Sequence, residues 1–147
     1  MIVEDVFLSK NIGRCIMNKI KVDSRGRTDM IEITNEVKAL VKESGVKSGI
    51  CVLFVPHTTA GITITEFADP FLMKDILTSL NNLIPFENNY GHQEGNAAAH
   101  IKSSLTNFSM ELIIEEGELL IGGFHGIFFC EFDGPRTRQV FVKILEG

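Results

Sequence analysis

The chain has 147 residues, enough for one domain with its own hydrophobic core. With 14 Lys and Arg against 19 Asp and Glu, its formal charge of -5 excludes the concentrated basic footprint of a nucleic-acid binder. No apolar run approaches the ~20 residues that span a bilayer, and the start lacks the basic and apolar segments of a secretory leader. The chain therefore reads as cytoplasmic, without a membrane partner.

Residues 1–9 and 14–22 read as two strands, followed by the turn Asp23-Ser-Arg-Gly-Arg27. A helix is predicted over 34–44, with Thr34 as N-cap, Glu36 suited to the N-terminal dipole, and Val37, Leu40 and Val41 on one apolar face. Gly45 is placed to stop it. Residues 49–56 form a continuous apolar run, which predicts a buried strand. Residues 60–66 alternate as a second strand.

Asp69 and Pro70 then open a helix to about 83, with Phe71, Ile76, Leu77, Leu80 and Leu83 as apolar positions. Residues 85–95 form a loop, and a third helix is predicted over 96–106. Strands at 109–115, 117–122, 126–132 and 138–145 complete the chain, separated by glycine-marked turns. The order β-β-α-β-β-α-α-β-β-β-β predicts an α+β fold, a single domain over 1–147. Cys15, Cys51 and Cys130 each lie in an apolar run without CxxC spacing, which predicts small buried hydrophobes in a reducing compartment.

Chemistry-bearing residues gather in polar islands, and all four histidines lie there. His57 sits in Pro56-His-Thr-Thr-Ala60, where Thr58 and Thr59 offer hydroxyls and Glu66 and Asp69 follow. Glu66 and Asp69 read equally as a solvated strand end and a helix cap. His92 and His100 flank the glycine- and alanine-rich stretch that holds Asn96, and Lys102 follows. A helix N-terminus there favours a phosphate. His125 lies in Gly122-Gly-Phe-His-Gly126, ahead of Glu131-Phe-Asp-Gly-Pro-Arg136. In a strand, Arg136 and Arg138 face one side and suit bidentate recognition of phosphate, while Glu131 and Asp133 can pair with them or with a metal. The Walker A loop, strand-linked GxGxxG, HExxH and GxSxG are all missing.

Taken together, His57-Thr-Thr-Ala60, Glu66-x-x-Asp69-Pro70, Tyr90-x-His92-x-x-Gly-Asn96, Ala99-His-Ile-Lys102 and Glu131-Phe-Asp-Gly-Pro-Arg136 resemble the YjbQ family, UPF0047, also described as secondary thiamine-phosphate synthase. The resemblance covers essentially the whole chain. It implies an α+β domain containing a β-sandwich, assembled as a homotrimer. It also implies transfer of an aminopyrimidinylmethyl group from its pyrophosphate to thiazole phosphate, and a metal held by residues matching His57, His92 and His100. Where the family usually has Gly-Thr-Trp-Gln-Gly, this chain has Phe124 and His125, so His125 is a departure that adds a ligand or proton carrier.

On that footing Glu66, Asp69, His125 and Glu131 are the catalytic candidates. Thr58, Thr59, Asn96, Lys102, Arg136 and Arg138 are the contacts for a small phosphorylated metabolite. Imidazole ligands favour zinc, and a pyrophosphate substrate also recruits magnesium. A metal-dependent hydrolase and a non-catalytic trimer that binds an anionic metabolite are the alternatives.

Overall fold

Residues 13–147 are described in the computed structural model; the strand expected over 1–9 lies outside them. Alternation along β1 (Cys15–Asp23) buries Ile20 and Val22 and leaves Cys15, Met17 and Lys19 on the other face. The strand pairs antiparallel with β8 (Thr137–Glu146), Cys15 facing Leu145 and Asp23 facing Thr137. On its other side β8 pairs with β3 (Gly49–Phe54), which pairs with β5 (Ser109–Glu115); the short β6 (Glu118–Leu119) forms the edge.

The second sheet is smaller, with β7 (His125–Glu131) between β2 (Asp29–Glu32) and β4 (Ala60–Glu66). Its inner side chains, Ile62, Ile127 and Phe129, share a core with Leu53, Val140, Val142 and Ile144 of the larger sheet. Helix α1 (Thr34–Ser44) adds Val37 and Val41 to that core. Two antiparallel sheets around one core make the expected sandwich.

Two helices lie outside the smaller sheet: α2 (Pro70–Leu83) and α3 (Ala97–Leu105). Ala99 of α3 and Leu77 and Leu80 of α2 pack on Cys130 and Phe132 in a second, smaller cluster. The approach of α3 to β4 is close. Ser103 Oγ donates to the Ala60 carbonyl at 2.7 Å, and a Cβ at Gly61 would collide with Thr106 Oγ1.

Several expectations hold to the residue. Gly45 adopts a left-handed φ of 69° and its N–H reaches Lys42 O, ending α1. Asp69 accepts from Phe71 N–H at 2.9 Å, with Pro70 in the first turn of α2. Others need correction. β2 was not foreseen, because four residues of mixed polarity carry no period of their own. Thr34 is not the cap of α1: Ile33 is, and the Thr34 hydroxyl instead donates to Glu32 Oε1 and accepts from Ile127 N–H.

The strand expected over 117–122 contracts to β6, since its partner β5 pairs with it only at Ile114 and Glu115. The run 49–56 is not buried throughout. Its strand alternates, leaving Ile50 46% and Phe54 42% exposed on the outer face of the larger sheet. Cys15 is exposed on the same face, unlike the buried Cys51 and Cys130.

Candidate functional site

Register between β4 and β7 separates the expected site residues into two groups. Ala60 faces Glu131 at one end, and Glu66 faces His125 at the other. Six residues of strand put roughly 20 Å between those ends. Within one chain, Glu66, Asp69 and His125 therefore lie apart from Thr59, Glu131 and Arg138.

The Glu131 end is dense and buried. Glu131 itself is 0% exposed. It accepts from Arg138 Nε at 2.8 Å and Nη2 at 2.7 Å, from Ser24 Oγ at 3.1 Å, and from the N–H groups of Phe132 and Asp133 at 3.1 and 3.0 Å. Burial alone would raise its carboxyl, but the bonds from Arg138, Asp133 and Ser24 outweigh that and hold it below the usual carboxylate value. A carboxylate has about four acceptor sites, so this one has none left for a substrate proton. Gly134 makes the close turn possible: a Cβ there would strike Gly26 O, Ser24 Oγ and the Glu131 side chain.

Arg138 also donates from Nη2 to Thr59 Oγ1 at 2.7 Å. The neighbouring His57 accepts the Gln139 N–H on Nε2 at 3.1 Å. Burial, and then the charge of Arg138, lower its pKa. The neutral ring with Nε2 accepting carries its proton on Nδ1. Thr58 is exposed beside it.

Asn96 leads into α3 and donates from Nδ2 to Asp133 Oδ2 at 3.0 Å. The same carboxylate oxygen accepts Arg136 Nη2 at 3.0 Å, and Arg136 Nε reaches Asp133 O at 2.8 Å. His92 and His100 stack edge to face with ring centroids 5.1 Å apart. Lys102 points inward and is fully buried, its ammonium over the Phe86 ring. His57 is not gathered with His92 and His100: among the described residues, no three His, Cys, Asp or Glu side chains are grouped to hold one metal ion.

The opposite end is open. His125 closes a tight turn, its Nδ1 accepting Gly122 N–H at 3.1 Å. It lines a polar cavity of about 360 Å³ with Glu32, Thr34, Lys38 and Phe67. Glu66 and Asp69 are exposed, and Asp69 serves as the α2 cap.

Reasoning from the sequence missed three participants: Ser24, which bonds Glu131; Arg27, whose guanidinium lies over Phe86; and Phe86 itself. The one available signal was the pair of arginines around Gly26 in the turn after β1.

The fold and its site residues define a class: a small α+β sandwich that carries a buried carboxylate–guanidinium centre and a pair of contacting imidazoles. The family model described as UPF0047 protein YjbQ-like matches residues 18–147. The chain is 45% identical over 131 residues to the UPF0047 protein YugU of Bacillus subtilis, covering 88% of this chain and 99% of that one. A UPF0047 protein of Methanocaldococcus jannaschii is 50% identical over 127 residues, 86% of this chain and 92% of its own.

Solved structures agree. A YjbQ/UPF0047 family protein of Clostridium acetobutylicum superposes with a TM-score of 0.85 at 51% identity, covering 87% and 99% of the two chains. A YbjQ-like protein of unknown function from Sulfolobus solfataricus gives 0.88 at 33% identity, with 91% and 99% covered. The chain belongs to the YjbQ-like UPF0047 family.

Proposed function

We propose that the Glu131 end of the domain binds a pyrophosphate ester and catalyses transfer of its carbon group, in the manner of thiamine-phosphate synthase. The C–O bond to pyrophosphate breaks, the aminopyrimidinylmethyl carbon bonds to the thiazole nitrogen of the phosphorylated acceptor, and pyrophosphate leaves. One observation carries this choice over hydrolysis. Glu131 and Asp133 are each engaged by an arginine, and Asp29, across from Glu131 in the sheet, accepts the Arg25 N–H. Hydrolysis needs a base to activate water, whereas a thiazole nitrogen attacks with a lone pair and has no proton to lose. His57, with Nε2 held by Gln139, presents Nδ1–H as a donor to the leaving group.

The family resemblance also brings a metal. Among the described residues the donor set of one chain supplies the His92–His100 pair but not a gathered three-histidine centre, so it does not fit that centre. Elemental analysis of the purified protein beside a His92→Ala/His100→Ala variant tests metal content directly.

A homotrimer is part of the same proposal. Met17, Ile50, Phe54, Ile113 and Leu145 are exposed large apolar residues in strands of the larger sheet, and an apolar face of this kind suits burial against another copy. Sedimentation should then return three times the 16.3 kDa chain mass. A cytoplasmic site of action agrees with three unbridged cysteines. No helix among the described residues is long and apolar enough to cross a membrane.

The deciding experiment incubates the protein with the pyrimidine pyrophosphate, with and without thiazole phosphate. Thiamine phosphate formed only with both supports transfer. Pyrophosphate released at the same rate without the acceptor replaces it with hydrolysis.

A further inference from the structure

The basic side chains at the Glu131 end are of two kinds. Arg138 and Arg136 are already neutralised, by Glu131 at 2.7 Å and by Asp133 at 3.0 Å. Lys102 and Arg27 have no carboxylate at ion-pair distance among the described residues. Lys102 is 0% exposed, and its Nζ makes no hydrogen bond within those residues. Its nitrogen lies 3.5 Å from the centroid of the Phe86 ring, and the Arg27 guanidinium lies 3.8 Å from the same centroid. One aromatic ring thus serves two cations in a chain whose overall charge is negative.

A cation–π contact is weaker than a charge-assisted hydrogen bond and leaves all three ammonium donors unfilled. Burial, and then the nearby Arg27 charge, push the Lys102 amine down to about 8, which still leaves it mostly cationic at neutral pH. The pair is also tied to the site. Arg27 O accepts Gly134 N–H at 3.0 Å, next to the Asp133 that holds Asn96 and Arg136. On the far side, Asn81 donates to Thr28 Oγ1 at 3.4 Å, with its own Oδ1 buried and unbonded.

Two unneutralised cations on one ring suit a multiply charged anionic leaving group. We propose that Lys102 and Arg27 are the pyrophosphate-binding pair of this end, and that the Phe86 ring holds the anion's place until a pyrophosphate ester displaces it. This rests on the reading of a pyrophosphate substrate and changes its ligand set. Arg136 and Arg138 brace the turn, while Lys102 and Arg27 take the anion.

Calorimetric titration of the full chain with inorganic pyrophosphate tests it. The parent protein should bind. Lys102→Met and Arg27→Gln should each weaken binding by about tenfold or more, and Arg136→Gln by less than about threefold. Phe86→Leu should tighten binding, since the ring no longer competes. Lys102→Met should also melt higher than the parent, a rise that a lysine kept for structure would not give. If Lys102→Met and Arg27→Gln bind like the parent, the pair is not the anion site, although the pyrophosphate reading stands. If the parent itself fails to bind, both fall.

Discussion

The two ends of the β4–β7 pair solve opposite problems with similar residues. At the Glu131 end the central carboxylate is buried and matched, holding Arg138 and three further donors, while Lys102 and Arg27 are left without a carboxylate among the described residues. At the His125 end an imidazole, Glu32 and Lys38 line an open cavity of about 360 Å³, and the strand-end Glu66 is exposed. The contrast separates residues that shape a site from residues free to meet a ligand. A saturated group holds position, and an unsaturated one has capacity left for something else.

The sharpest way to break this comparison is Glu131→Ala. It leaves the Arg138 guanidinium buried and unpaired, and should cost about 3–5 kcal/mol in urea unfolding. The pH dependence has a definite sign. The folded Glu131 carboxyl titrates below its ordinary value of 4.5. Its stabilisation is therefore complete above that value and is lost as pH falls through the folded pKa. Glu131→Gln should flatten this part of the acid limb.

Lys102→Met should move stability the other way, raising it by on the order of 2 kcal/mol at pH 7. Between about 8 and the ordinary 10.5 the unfolded chain holds a proton that the folded lysine has released. Stability of the parent should therefore climb with pH across that window, and the variant should lack the slope. A parent slope equal to that of the variant would sink the assignment.

A smaller effect is expected at His57, whose pKa lies below 6.5. Its neutral form is favoured in the fold, so stability should decline as pH falls below 6.5, and His57→Gln should remove that share of the decline. The smallest effect belongs to the open end. His125→Ala should shift stability by no more than about 0.5 kcal/mol and leave pyrophosphate binding unchanged. A large change in binding would join the two ends into one site.

Local signals in the chain were strong where one residue type decides the geometry. Gly45 and Asp69-Pro70 placed the end of α1 and the start of α2 because a left-handed turn and a helix cap have few alternatives. β2 escaped notice because its four residues are defined by pairing with β7, a partner about a hundred positions away. The polar islands were legible, and Thr59, Asn96, Glu131 and Arg138 do lie toward one end. Their division of labour was not. Which arginine is neutralised, and which lysine is left over Phe86, depends on contacts between residues 27, 86 and 102 that no spacing encodes.

The bare Cα of Gly61 acts as a datum surface. Because nothing projects from it, α3 rests against the backbone of β4, with Thr106 abutting that strand and Ser103 pinned to its carbonyl. His100 and Lys102 ride on that helix, so their heights above the sheet are calibrated together. A single methyl group at position 61 would lift both at once, and one small surface thus sets the tolerance of everything machined onto α3.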